Sequence, residues 1–199
     1  MRLDELVQER GEVIDVSWRS FLLRPEPKTP NQEEFVAYTK SWLRPAEAEP
    51  KATFQIWNSD DTQPSSSIPA QVAAKLVERI DDTKAEAFKT ALLVAYFAKN
   101  RDISSEGVLF DVAEGVGIAS DQLAKLAATD TDDAHRQVID EHNAAINMGI
   151  SAVPTVVFAP QADGNNSLAS PEGHNSFAVP GAQPAELYIR VVDKMLQRA

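Results

Sequence analysis

The chain has 199 residues, 43% of them hydrophobic, no cysteine, and a formal net charge of −11. That length fits one ordinary domain or one domain carrying a large insertion, and the hydrophobic content supports a packed core. An acidic balance without any lysine or arginine block speaks against nucleic-acid partners, and the absence of cysteine excludes disulfides, thiolate metal ligands and a cysteine nucleophile within these residues.

Residues 2–10 read as a short helix, with Leu3, Leu6 and Val7 on one face and Gly11 as its stop. This charged N-terminus lacks the apolar core of a signal peptide, and no stretch approaches the ~20 apolar residues of a membrane span. The expected address is the cytoplasm, with no membrane partner. From Val13 to about Phe21 the period is two and the residues are β-branched or aromatic, which predicts a strand. Pro25, Pro27 and Pro30 then stop any regular element.

Gln32–Trp42 is expected to be helical, with Phe35, Tyr38 and Trp42 as its buried stripe. A long polar connection follows, in which "TFQIW" is expected to be extended. Helices are predicted over 70–80 and over Thr83–Asn100, where Phe88, Ala91, Leu92, Ala95 and Tyr96 form one stripe. A third runs from a Ser104 or Ser105 cap to Gly115, a fourth starts at Ser120, and a fifth spans Asp130–Met148.

The pattern then returns to strands. "TVVFA" and "SFAVPG" are joined by a loop rich in Gly, Asn and Ser, and the last helix opens with Pro184 near its first position. That helix turns Leu187, Tyr188, Val191, Val192 and Met195 inward. Pro154 precedes the first of these strands, where a residue without an N–H is tolerated. It either ends a loop or makes the backbone beside it a binding surface.

Four stretches in this order resemble the cytoplasmic DsbA-like proteins of the thioredoxin superfamily. They are "VSWRSFLLRPEP", "AYFAKNRDISSEGVL", "GISAVPTVVF" and "FAVPGAQPAEL". The branch most similar is the FrnE-like one, related to hydroxychromene-carboxylate isomerases and kappa-class glutathione transferases. The resemblance implies an α/β thioredoxin-like fold with a large all-helical insertion. Residues 1–28 and 151–199 would form the thioredoxin-like domain and 29–150 the insertion. It further implies a cis bond before Pro154, and a substrate site at Val153, Pro154 and Thr155 whose backbone takes up an extended peptide or glutathione as another strand.

In that family a Cys-x-x-Cys at the end of the first strand performs thiol–disulfide exchange. Here that strand and dithiol have no counterpart, so the chain as written is expected to be redox-inactive, with no catalytic residue and no cofactor of its own. Three explanations stand open: an upstream segment, a remnant that closes its sheet directly or through a homodimer partner's strand, or a separate chain supplying the strand. The functional alternatives are a glutathione-dependent isomerase or transferase, and a non-enzymatic binding or dimerisation protein.

The remaining constellations are weaker. His135 and His142 lie two helical turns apart, too far along the axis for one metal, and with Asp132, Asp133, Asp140 and Glu141 they read as a solvated face. No metal site is expected. Gly181 and Gln183 open the last helix, whose free N–H groups favour a carboxylate. The glutathione-using relatives imply a ligand role there, while the residues alone read as a turn and a cap. Trp18, Trp42 and Trp57 serve either a groove or the core, and "NNS" at Asn165–Ser167 is a formal glycosylation sequon.

Overall fold

The computed structural model describes residues 2–27, 31–160 and 176–197. The sequon lies outside them. The chain divides into two units, one made of residues 1–21 and 140–199 and the other of residues 22–139. The sequence reading set its boundaries after residues 28 and 150.

The first unit is built on a two-stranded antiparallel sheet. β1 (Thr155–Phe158) pairs with β2 (Phe177–Pro180), with Thr155 opposite Pro180 and Phe158 opposite Phe177. The Phe158 and Phe177 rings stack with centroids 5.5 Å apart. Helix α1 (Arg2–Arg10) and the last helix, α8 (Ala185–Leu196), share one apolar cluster with the sheet. Leu6, Phe158, Tyr188 and Val192 are its buried centre, flanked by Ile14, Val156 and Val179. Burying such side chains contributes about 1.5–3 kcal/mol each. The Arg10 guanidinium grips the Asp193 carboxylate through Nε at 2.8 Å and Nη2 at 3.0 Å, locking α1 to α8.

The second unit is helical: α2 (Gln32–Thr39), a 3₁₀ turn (Lys40–Trp42), α3 (Leu43–Ala48), α4 (Ile68–Ile80), α5 (Asp82–Leu93) and α6 (Glu106–Gly115). The predicted 83–100 helix ends earlier than expected. After Leu93 the chain widens into a π-turn over Val94–Ala98, and Asn100 adopts a positive φ of 49°. Its stripe divides accordingly. Phe88, Leu92 and Ala95 enter the main core, while Tyr96 joins an aromatic cluster with Phe35, Trp42 and Trp57. Trp42 and Trp57 are therefore core residues, and "TFQIW" holds no strand.

Two further expectations are corrected. The fourth and fifth helices are one, α7 (Ser120–Asn147), with residues in both units. No glycine or proline interrupts it, and the Thr129 and Thr131 hydroxyls donate back to the Leu126 and Ala127 carbonyls. The second correction concerns Val13–Phe21, which joins no sheet. Residues 14–22 run without turn, bend or ladder, because β-propensity makes a strand only where a partner edge supplies hydrogen bonds.

Candidate functional site

The turn entering β1 and the turn leaving β2 lie side by side because the ladder continues past the strands. One step beyond the Thr155–Pro180 pair, Gly181 N–H donates to the Pro154 carbonyl at 2.8 Å. In a hydrogen-bonded antiparallel pair each residue both donates and accepts. Proline cannot donate, so the Gly181 carbonyl is left over. The hydroxyl of Tyr188, buried at 2% exposure, donates to that carbonyl at 3.1 Å and accepts the Gln183 N–H at 3.1 Å. One side chain from the first turns of α8 thus closes the account that Pro154 opens.

Gly181 makes the sharp turn between β2 and α8 with φ +79°, in the left-handed region that favours glycine. Gln183 does not cap α8, whose N-cap is Pro184; its Nε2 donates to the Pro180 carbonyl at 2.9 Å. Thr155 Oγ1 donates to the Ala152 carbonyl at 2.7 Å and so folds residues 152–155 into a tight loop. The Val153–Pro154 bond is cis. The structure therefore brings Pro154, Thr155, Gly181 and Gln183 together through five hydrogen bonds. Val153 stands at their edge, 44% exposed, and among the described residues its backbone N–H and C=O have no partner.

The neighbouring concavity is separate. A hollow of about 400 Å³ runs along α8, lined by Phe177, Leu187, Arg190, Val191, Lys194 and Met195, and none of the five predicted residues lines it. Among the described residues, no group of three or more His, Cys, Asp or Glu side chains converges as a metal site would require. Nor is any described helix long and apolar enough to cross a membrane.

Two functional groups escape the sequence reading. Tyr188 appears there only as an inward residue. Glu141 appears as part of a solvated face, yet it is 6% exposed, takes the Ser20 N–H at 2.7 Å and pairs with Arg19 at 3.3 Å. His142 is half-buried too, its ring edge-on to Phe21 at 5.1 Å, while His135 is exposed. The available signal was that Glu141 continues the spacing Ala134, Val138, Glu141, Ala145, an acid on an otherwise apolar stripe.

A protein-family model described as the DSBA-like thioredoxin domain matches residues 1–188. Among solved structures, the chain is 18% identical to a candidate protein disulfide isomerase from Nitrosomonas europaea, with TM-score 0.77, covering 99% of this chain and 89% of that one. It is 16% identical to the cytosolic disulfide reductase DsbM of Pseudomonas aeruginosa, with TM-score 0.72, covering 100% and 91%. A second structure of DsbM, with GSH, gives TM-score 0.71 at 14% identity, covering 98% of this chain and 91% of that one. The shared architecture is a thioredoxin-like fold, here mostly helical with a small sheet, in keeping with a helical insertion.

Proposed function

The chain belongs to the DSBA-like thioredoxin domain family, and from that premise we propose that these residues bind glutathione or an extended peptide across Val153, Pro154 and Thr155 without contributing a thiol. The observation that carries this reading is the contrast at the loop. Pro154, Gly181 and Gln183 are tied by hydrogen bonds, while the adjoining Val153 N–H and C=O point to no partner among the described residues. An incoming extended segment satisfies both at once, as strand addition does at other sheet edges. Gly181 and Gln183 lie in the turn before α8, and their N–H groups are already given to the Pro154 carbonyl and the Tyr188 hydroxyl, so their part in this reading is to hold the loop in place. The DsbM structure with GSH supports glutathione as the first ligand to try.

Thiol–disulfide exchange requires an attacking thiolate, and none of the 199 residues is cysteine. In this reading the sulfur belongs to the ligand or partner, and the protein supplies placement. Calorimetric titration with S-methylglutathione tests it, because a capped thiol removes any redox contribution. Saturable binding that survives Val153→Ala within about threefold, and falls at least fivefold in Gly181→Ala, is the expected pattern for recognition through backbone. Absence of saturable binding, or equal losses in both variants, refutes it.

A further inference from the structure

The hollow of about 400 Å³ along α8 takes no part in the Val153 site. Its floor is the Phe177 ring at the start of β2 and the Leu187, Val191 and Met195 side chains of α8, with the exposed Arg190 and Lys194 completing the lining. Residues two apart on a helix point to opposite flanks. Leu187 and Val191 therefore turn away from Ile189 and from Asp193, whose carboxylate holds Arg10 of α1. The lining comes from α8 and β2 alone. Leu187, Val191 and Met195 are half-buried against the cluster of Leu6, Phe158, Tyr188 and Val192, while Phe177 is 43% exposed. The floor is apolar and held from behind.

The two cations carry the opposite chemistry. Arg190 and Lys194 sit about one turn apart on the same flank, where like charges repel. Arg190 Nε donates to the Glu186 carbonyl of its own helix at 3.3 Å. Among the described residues, neither its outer nitrogens nor the Lys194 ammonium meets a carboxylate. By contrast, Arg10, Arg19, Arg79, Arg101 and Arg136 each reach one. The helix C-terminus accounts for Lys194 in the last turn. It does not account for a second cation beside an apolar floor.

We propose that this hollow binds a small amphiphile, an aliphatic chain ending in one carboxylate. The chain lies along Phe177, Leu187, Val191 and Met195, and the carboxylate sits between Arg190 and Lys194. A guanidinium takes a carboxylate through two parallel hydrogen bonds, and the neighbouring ammonium adds charge as a point. A bound carboxylate also relieves the repulsion between the two cations. The volume falls near the lower end of ordinary ligand sites, about 300–1,000 Å³, which suits a medium-length chain. This site lies toward the end of α8, whereas Gln183 and Tyr188 lie at its start.

The test is calorimetric titration of the full chain with sodium octanoate, decanoate and dodecanoate, each below its micelle concentration. One saturable site is expected, tightening about two- to fourfold per added methylene. Octanoate should bind at least about fivefold more tightly than 1-octanol, which keeps the chain and lacks the charge. Arg190→Glu combined with Lys194→Glu, both at exposed positions, should weaken decanoate at least about tenfold with an unchanged circular dichroism spectrum. Val191→Trp, which fills the hollow, should abolish binding, and the charge reversal decides the matter if that variant does not fold. S-methylglutathione, without an aliphatic chain, should not displace decanoate. Absence of saturable binding, equal affinity for octanoate and 1-octanol, indifference to the charge reversal, or displacement by S-methylglutathione overturns the proposal.

Discussion

Replacing Tyr188 with phenylalanine deletes one oxygen from the bridge between Gly181 and Gln183 and keeps the ring that packs against Phe158. Two hydrogen bonds are lost together. A net hydrogen bond is worth about 1 kcal/mol, more where the abandoned partner stays dry. Both orphaned groups belong to half-buried residues that water can partly reach, so the expected loss is about 1–2 kcal/mol rather than the full desolvation penalty. At roughly 2–4 °C per kcal/mol for a chain of this size, the melting midpoint should fall by about 2–8 °C. The assay is thermal and urea unfolding of both proteins followed by circular dichroism, with amide hydrogen exchange at Gln183 as the local readout. That amide should exchange about tenfold faster. A midpoint change under about 1 °C with unaltered Gln183 protection would show that Tyr188 does not hold the turn.

Three further perturbations read other parts of the structure. Gly181→Ala places a β-carbon at φ +79° and 3.3 Å from Gln183 Nε2, and should cost about 1–2 kcal/mol in urea unfolding; a neutral result would remove the turn's need for glycine. Glu141→Ala leaves the buried Ser20 N–H and the partly exposed Arg19 without their carboxylate. It should destabilise by about 2–4 kcal/mol, whereas a loss under 0.5 kcal/mol would return Glu141 to the solvated class. Tyr96 has its pKa pushed up to about 12, chiefly by burial and secondarily by Tyr38, against the opposing pull of Arg24. Its neutral form is the one the fold favours, so that contribution is complete below pH ~10 and disappears as pH rises through about 12. Absorbance titration should show a tyrosine ionising near pH 12, and Tyr96→Phe should remove that step.

Much of this architecture is legible because local pattern and tertiary outcome agree. β1 and β2 stand out by β-branched and aromatic runs bounded by Pro154 and Gly181, and α8 by its inward Tyr188 and Val192. Val13–Phe21 carries the same local signal and yet forms no ladder, since pairing is a property of two edges and the sequence displays only one. The break placed at Asp130 fails for a different reason. The helix runs on through this polar stretch, where the Thr129 and Thr131 hydroxyls bond back to the carbonyls of the preceding turn. Of the site, Pro154, Thr155, Gly181 and Gln183 are visible as proline and glycine punctuation beside strands. Tyr188 is not, because its role exists only once Pro154 has left a carbonyl unpaired across the sheet.

Whether the open backbone of Val153 receives a ligand can be read residue by residue in two-dimensional ¹H–¹⁵N spectra of the labelled chain during titration with S-methylglutathione. Saturable shifts should concentrate at the Val153, Thr155, Gly181 and Gln183 amides, with Val153 N–H moving downfield as it gains an acceptor. Saturable shifts confined to other residues, with these four unmoved, would contradict it.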